Sequence, residues 1–425
     1  MRAIVHEALT RGFPSVEANS ENPSVVATMQ QIVTRRSAFE ALMYSQFVRD
    51  VYYGNNLLCT RRQGRLRLEY HVRVIESVRH GLINSQDECG DETITMVLSL
   101  ALQEQVGVVE DQTKKQGGLR APKQGPLQLL RMLDVYGAQR IADTTPHITA
   151  LLKMAEIRGG VAGLGTGGLG HQISNIELIE ASRDLRRPCV EFVTFLDRSD
   201  ILLSLQSYQP VDHRLASLAR GFSALDQFDN VDLGDRSNLR ELLHQLALYT
   251  CGVDSFLLDG KPQNRALAYL GEQRNLVHHN LLMALPETNL ATSSWRSNDR
   301  AVHAVLHLAA VIYSFLCVFP MDAAPFGLLQ QHIWHLLQCR DLTVEWANTP
   351  ELYIWTLFMA AIASPDPIGR NKAIRLLRPT ILSLHITSWE ALKEKLMDFL
   401  WMPVTNDEDG KSIWNELHEA PTDLS

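Results

Sequence analysis

The sequence predicts an all-α protein built as one large multi-helix domain. Nearly every regular stretch has apolar residues three and four positions apart, which is the helical period. No convincing set of alternating β-strands is found in the 425 residues. Aromatic residues make up only 7% of the chain, whereas Leu and Ala are abundant, which favours helix over strand. We therefore expect a partly disordered lead at 1–38, a helical domain at 39–417 and a short tail at 418–425.

The first part of the domain reads as a series of amphipathic helices. The stretch "SAFEALMYSQFVRDVYY" has one apolar stripe, and "EYHVRVIESVRHGLI" predicts a buried stripe of Val72, Ile75, Val78 and Leu82. "DETITMVLSLALQEQ" is apolar almost all round, so we expect a central helix there. An exposed loop is predicted at 110–126, followed by another helix at 126–141.

The segment "TPHITALLKMAEIRGG" has clear helix boundaries. Thr145 is a natural N-cap, Pro146 suits the first helical position, and Gly159 and Gly160 predict the helix end. A loop is expected at 285–297. Further helices are predicted at 173–185, 239–249, 265–270, 299–319, 328–337 and 351–363.

Gly165, Gly167 and Gly170 have the G-x-G-x-x-G spacing of dinucleotide-binding proteins. That fingerprint requires a strand before the first glycine, because the glycines form the turn from strand to helix. Here a helix precedes the glycines and another helix follows them. The stretch is therefore predicted to be a linker between helices.

Composition narrows the class of protein. The net charge of −8 and the isoelectric point near 6.0 argue against a chain that binds phosphate backbones with its whole surface. The six cysteines lack metal-site spacing and are predicted to be isolated buried thiols in a reducing compartment. The longest apolar run, at 304–319, is shorter than a bilayer span of about 20 residues, so we expect a buried core helix in a soluble intracellular protein.

An acidic series at steps of three raises the possibility of an isoprenoid synthase. The series consists of Asp226, Asp229, Asp232 and Asp235. Those enzymes space their acidic residues mainly four apart and carry a second metal-binding set on a facing helix. In the nearest counterpart, "SNDRAVHAV", Val302 stands where a hydroxyl is needed, and Gly234 is expected to break any helix. A solvated acidic loop is predicted.

The histidines form two pairs with helical spacing, His303 with His307 and His332 with His335. A zinc hydrolase would need a glutamate next to the first histidine, and Ala304 occupies that position. His278 and His279 are adjacent and should point in different directions. We expect satisfied or partly buried histidines. No catalytic, cofactor-binding or metal-ligating residue is assigned, no cofactor is expected, and the chain is predicted not to be an enzyme.

The C-terminal stretch "SWEALKEKLMDFLWMPVTNDEDGKSIWNEL" predicts a helix, a turn and a second helix. Thr387 and Glu390 can form a capping box. Residues 389–400 place a set of apolar side chains on one face, and Trp389 and Trp401 are expected to be largely buried. After Pro403, a charged turn at 406–410 would let Trp414 and Leu417 pack back onto that face.

This arrangement resembles the close of the fungal-specific transcription factor domain, the regulatory region of zinc-cluster transcription factors. The matching residues are Ser388 with Trp389, Phe399 with Leu400 and Trp401, and Gly410 with Trp414. A Leu-x-x-Met-x-x-x-Arg-Gly-Gly element of that family is similar to Leu151, Met154, Arg158, Gly159 and Gly160. The helix near 91–105 resembles the family helix placed about fifty residues earlier, so the similarity covers about residues 40–417.

The resemblance implies an all-α regulatory domain that works through protein contact, and it supplies no catalytic residues. Members with DNA-binding function carry six closely spaced cysteines, whereas Cys59 to Cys339 are scattered here and the first 38 residues contain none. We therefore expect a regulator-like protein without its own DNA-binding module, either a truncated product or a member with the regulatory domain alone. Basic clusters at 61–67 and 370–378 are interpreted as solvated helix faces or weak nuclear signals.

The expected partners are proteins, including zinc-cluster regulators or a second copy, with a small effector as a further option. Sequence-specific DNA binding and membrane binding are not expected. The resemblance favours the nucleus, with the cytoplasm as the other option. The main alternative function is an intracellular scaffold or accessory protein that keeps the fold without regulating transcription. An isoprenoid-processing helical enzyme is the third.

Overall fold

The computed structural model describes most of the helical domain. The described residues are 30, 33–41, 43–44, 61–84, 90–103, 145–164, 168–210, 215–228, 233–259, 264–285, 298–321, 324–339, 342–364 and 366–418. Helices dominate these ranges and no strand occurs within them, so the predicted all-α class is confirmed. The predicted loop at 110–126, the predicted helix at 126–141, Cys59 and Cys89 lie outside the described residues.

The α-helices that the structure gives are numbered here in chain order, after helical residues at 36–41. They are α1 Arg61–Asn84, α2 Asp91–Gln103, α3 Thr145–Ile157, α4 Leu169–Arg183, α5 Arg198–Gln206, α6 Leu233–Leu258, α7 Asn264–Met283, α8 Asn298–Tyr313, α9 Phe326–Cys339, α10 Thr343–Asn348, α11 Pro350–Ile362, α12 Pro367–Ser383, α13 Trp389–Met397 and α14 Pro403–His418. Short 3₁₀ turns occur at Val161–Gly163 and Arg220–Gln227.

Two apolar helices, α8 and α11, form the centre of the main core. Every residue from Ala304 to Tyr313 is buried, as is every residue from Ile354 to Ile362. The span Asn298–Val318 is long and apolar enough to cross a membrane, but 94% of its apolar window is buried inside the protein. It therefore serves as a core helix, as predicted from the sequence.

The predicted continuous helix at 299–319 changes its geometry near its end. The regular α-helix stops at Tyr313, and Ser314–Val318 form a π-turn. The Phe319 N–H donates to the Ser314 carbonyl over 2.7 Å, five residues back, which is the hydrogen bond that defines a π-turn. This turn brings Ser314 against the middle of α7.

The glycines at the end of α3 act as predicted. Gly159 and Gly160 have φ of 88° and 97°, a region that a residue with a Cβ rarely adopts. The Gly160 N–H donates to the Ala155 carbonyl over 2.8 Å, closing the helix end. Helix α4 then begins at Leu169, α3 precedes the glycine motif, and no strand occurs in the described residues 145–164 before it. Gly165 and Gly167 lie outside the described residues.

Several predicted boundaries are wrong. Helix α6 begins at Leu233, so Gly234 does not break a helix and Asp235 belongs to one; Asp229 and Asp232 lie outside the described residues. Helix α7 extends to Met283, well beyond the predicted 265–270. The cap of α13 is Ser388, whose Oγ accepts from the Ala391 N–H over 3.1 Å, rather than the predicted Thr387.

The predicted charged turn at 406–410 is also wrong, because α14 runs through it. Asn406 Oδ1 accepts from the Met402 N–H over 2.9 Å, which satisfies a backbone group at the helix start. Asp407 accepts from the Trp401 indole N–H over 2.9 Å and pairs with Lys393. The acidic residues thus belong to the helix itself, where Asp407 is held by the Trp401 indole and by Lys393.

Helix α1 buries a different face from the predicted one. Val74 is fully buried against α2, whereas Val72, Ile75 and Leu82 are 46%, 45% and 43% exposed. Val78, from the same predicted stripe, is half-buried. Apolar residues lie on the face of Val74 and also on the face of Val72 and Ile75. The helical spacing of apolar residues alone therefore could not show which of the two faces is buried.

The second basic cluster, at 370–378, is only partly a solvated face. Arg370 donates hydrogen bonds from Nε and Nη2 to the two carboxylate oxygens of Glu416. Its Nη2 also donates to Ser412 Oγ over 2.8 Å. Arg378 donates to the Leu417 carbonyl over 3.1 Å. These two arginines attach α12 to α14, whereas Arg375 is exposed.

Candidate functional site

The middle of α7 carries an unusual run of buried polar side chains. In residues 272–279 every side chain is buried, and six of the eight are polar: Glu272, Gln273, Arg274, Asn275, His278 and His279. We call this run the polar segment of α7. Burying polar groups is costly unless they are hydrogen-bonded, so their partners show what the segment does.

The N-terminal end of the polar segment contacts α4 and the irregular stretch that follows α4. Glu272 Oε1 lies 2.9 Å from His171 Nε2, and Glu272 Oε2 accepts from the Phe195 N–H over 3.3 Å. The His171 ring contacts the Phe195 ring with centroids 3.8 Å apart. Three stretches of the chain that are distant in sequence therefore meet at this carboxylate.

A row of amides continues the network along α7. Arg274 Nε donates to Asn275 Oδ1 over 2.9 Å, and Asn275 Nδ2 donates to Asn175 Oδ1 over 2.9 Å. Asn175 Nδ2 in turn lies 3.2 Å from the His171 ring nitrogens. The amide of Gln273 donates to the Ile201 carbonyl of α5 over 3.2 Å. The polar segment thus joins α4, α5 and α7.

His278 is fully buried and bridges two serine hydroxyls. Its Nδ1 lies 2.8 Å from Ser314 Oγ and its Nε2 lies 2.9 Å from Ser182 Oγ. The single Ser182 proton is donated to the Leu178 carbonyl over 2.6 Å, so Ser182 Oγ must accept from Nε2–H. His278 Nδ1 is then the acceptor for the Ser314 hydroxyl. The donor count therefore fixes the neutral Nε2–H tautomer.

A hydroxyl hydrogen-bonded to an imidazole is also the nucleophile–base pair of many hydrolases. Burial, with the positive fields of His279 and Arg274, lowers the pKa of His278 to about 3. Such an imidazole is a poor proton acceptor near neutral pH. Ser182, a neutral hydroxyl, is the group that orients it, whereas a catalytic triad uses a carboxylate there. The geometry favours a structural hydrogen bond between helices.

A second buried carboxylate organises the segment after α4. Arg186 binds Glu177 through two hydrogen bonds of 2.6 and 2.9 Å, and the Cys189 N–H donates to the same carboxylate over 2.8 Å. Burial pushes the Glu177 pKa upward, but the bonds from Arg186 and Cys189 outweigh it and leave the pKa lowered. Glu177 therefore stays ionised and holds the chain turn in place.

The cysteine prediction is partly confirmed. Cys251 and Cys317 are buried, whereas Cys189 is exposed, contrary to the prediction. Partial burial and the neighbouring Glu177 carboxylate raise the pKa of Cys189 to about 11. Its thiol therefore stays protonated near neutral pH and has little nucleophilic character.

The histidine pairs from the sequence do not come together as a site. His307 is buried and its Nε2 lies 2.9 Å from the Leu281 carbonyl, while His303 is half-buried. His332 is half-buried and His335 is exposed. Within the described part of the chain, no three His, Cys, Asp or Glu side chains are placed to hold a metal ion. The predicted different directions of His278 and His279 are confirmed, because His278 faces Ser182 and Ser314 whereas His279 Nε2 faces the Val190 carbonyl at 3.3 Å.

The residues that carry the family resemblance form a second cluster, at the C-terminal end. Trp389 and Trp401 are buried, with ring centroids 6.2 Å apart. Gly410 lies against both rings: a Cβ there would lie 2.5 Å from Trp389 and 2.8 Å from Trp401. We call Trp389, Trp401 and Gly410 the tryptophan anchor. It joins α13 to α14 and leaves no space for a side chain at position 410.

The polar segment was not predicted, because the sequence pattern placed the end of α7 before Gly271. A signal was present: "GEQRNLVHHN" is mostly polar on every face, which a surface helix of a globular protein seldom shows. No protein-family model, curated protein or solved structure matches the chain.

Proposed function

We propose that the chain is a regulatory protein of the zinc-cluster transcription factor type that acts through protein contacts rather than catalysis or direct DNA reading. The tryptophan anchor is the observation that carries this proposal. The resemblance rests on the order Ser-Trp, Phe-Leu-Trp and Gly-x-x-x-Trp. In the structure these elements meet in one packed unit, where Gly410 lies beneath Trp389 and Trp401.

A second pair of matching segments is also joined in space. Arg158 precedes the two helix-ending glycines of α3, and its Nη2 lies 3.3 Å from Asp91 Oδ1 at the start of α2. Helix α2 is the other segment that resembles the family. Two segments that resemble the family are therefore in direct contact in this chain, as expected if they belong to one domain.

The polar segment supports a contact function over an enzymatic one. Its groups bond mainly to other helices and to the segment after α4, and His278 has a pKa too low for proton transfer near neutral pH. Buried networks of this kind fix the arrangement of helices. A rigid helical core with surface helices is suited to presenting partner-binding faces.

The proposal is tested by two assays on the purified full chain. Affinity capture from a fungal nuclear extract should recover transcription regulators, whereas a mobility-shift assay at physiological salt should show no sequence-specific duplex binding. A matched capture with the Trp401→Ala variant should lose those partners if the fold presents them. One duplex retained against excess competitor DNA would overturn the proposal, as would capture limited to proteins outside transcription.

A further inference from the structure

Helix α1 carries an apolar stripe that faces outward. Its inner face packs on α2 through the fully buried Val74. The outward side chains are Leu68, Val72, Ile75, Leu82 and Ile83, which are 61%, 46%, 45%, 43% and 67% exposed. We call these five residues the outer stripe. Single exposed apolar residues are normal on a protein surface, but an aligned set marks a binding face.

The spacing of the outer stripe is that of a helix-pairing seam. Leu68, Val72, Ile75, Arg79 and Leu82 follow one another at steps of four, three, four and three, the heptad pattern by which one helix packs along another. From position 68 to 83 the stripe is about 22 Å long at 1.5 Å per residue. This length suits a partner helix of similar extent.

Two exposed arginines follow the spacing of the helix-pairing seam, which indicates that a partner should carry negative charge there. Arg79 lies within the seam, and Arg65 continues the same spacing one step before Leu68. Neither forms an ion pair with any described residue. By contrast, Arg73, on another side of the helix, pairs with Glu69 over 2.5 Å and with Glu40 over 3.5 Å. The seam therefore offers two cations whose charges are not neutralised by the described part of the chain.

Helix α1 has a net positive charge, whereas the rest of the protein has a net negative charge. The helix has six arginines and two glutamates, a balance of +4, in a chain whose net charge is −8. The remainder of the chain thus carries −12. Pairing α1 with a second copy of itself would bring like charges together, which is unfavourable for two helices in contact.

We propose that the outer stripe of α1 binds an acidic amphipathic helix of a partner protein. Its apolar side chains would cover Leu68, Val72 and Ile75, and its carboxylates would pair with Arg65 and Arg79, about 21 Å apart along the helix. The inference stands on α1 alone and does not depend on the proposed function.

The test uses the full chain and two synthetic helical peptides of about 20 residues, long enough to cover the stripe. Both have leucines at heptad spacing; one has glutamate and the other has lysine at the two positions that face Arg65 and Arg79. Fluorescence anisotropy should show binding of the glutamate peptide and at least about tenfold weaker binding of the lysine peptide. Arg79→Glu should remove the preference, because one cation and one anion then face each peptide, and Ile75→Glu should abolish binding of both.

Two surface variants elsewhere serve as matched controls. Arg375→Glu and Ile368→Glu change an exposed cation and an exposed isoleucine on α12, and both should leave peptide binding unchanged. All four variants alter exposed side chains, so their melting temperatures should match the parent. Equal binding of the two peptides would overturn the proposal. So would binding to phosphatidylcholine–phosphatidylserine vesicles without peptide binding, or a dimer of the parent chain that Ile75→Glu converts to monomer.

Discussion

His278 Nδ1 accepts a 2.8 Å hydrogen bond from the Ser314 hydroxyl inside a core where both side chains are fully buried. Replacing Ser314 with Ala should therefore leave a buried acceptor unsatisfied and lower the free energy of unfolding by about 1–3 kcal/mol. Ser383→Ala, at an exposed serine of α12, is the matched control and should change little. Urea denaturation of both variants measures the difference. Equal stability of the two would show that the hydrogen bond between Ser314 and His278 makes no contribution.

Stability should fall as the pH is lowered. Burial lowers the pKa of His278 to about 3 and of His307 to about 4, whereas an unfolded histidine titrates near 6.5. Between these values the unfolded state binds more protons, so the free energy of unfolding decreases as pH falls through about 6.5. Each histidine should contribute on the order of 2 kcal/mol between about pH 7 and 5.

Urea denaturation at several pH values measures this slope, and His278→Gln should reduce it. His244→Gln, at an exposed histidine of α6, is the control. In the parent protein, the His278 ring signals should not titrate by NMR between about pH 7 and 5. A titration near 6.5 would mean that the imidazole is open to water.

The tryptophan anchor predicts that Gly410→Ala changes the stability of the protein in the direction opposite to that expected at an ordinary helix position. In an ordinary helix, alanine is more stable than glycine by roughly 0.5–1 kcal/mol. At Gly410 a Cβ would lie 2.5 Å from the Trp389 ring, so Gly410→Ala should instead destabilise the protein, by about 1–3 kcal/mol. Trp389→Ala and Trp401→Ala should each cost about 3–5 kcal/mol. Calorimetry measures all three, and a Gly410→Ala variant more stable than the parent would contradict the packing.

The glycine motif between α3 and α4 should have a packing role only. A Cβ at Gly170 would lie 2.1 Å from the Val161 carbonyl oxygen, so Gly170→Ala should destabilise the junction of these helices. Gly165→Ala and Gly167→Ala should change stability at most modestly. Titration calorimetry with nicotinamide and adenine nucleotides should show no heat of binding. A micromolar nucleotide signal lost in the Gly165 and Gly167 variants would restore the dinucleotide interpretation.

Features that local sequence decides were predicted correctly, whereas features that tertiary contacts decide were not. The helix end at Gly159 and Gly160 and the burial of Trp389 and Trp401 were predicted correctly, because local backbone preference and hydrophobicity decide them. The buried face of α1 was not, since both of its faces are apolar and contact with α2 selects Val74. Only tertiary structure could reveal this choice.

The candidate site was harder to predict than the fold. The polar segment is held largely by hydrogen bonds between residues far apart in sequence, such as His278 with Ser314, 36 positions apart, and Asn275 with Asn175, 100 positions apart. No local spacing marks such pairs. The start of α14 was missed for a related reason: Asp407 seemed to belong to a solvated turn, but it accepts from the indole of Trp401. A charge-rich stretch was therefore mistaken for a loop.

The central claim, regulation through protein contact, is tested most directly by a tethered reporter. The full chain is fused to an unrelated DNA-binding module in a fungal cell whose reporter carries that module's site. We expect a several-fold change in reporter output. That change should be lost with the destabilised Trp401→Ala fusion and kept with the surface control Arg375→Glu. Reporter output equal to that of the DNA-binding module alone, from a fusion that is folded and nuclear, would contradict it.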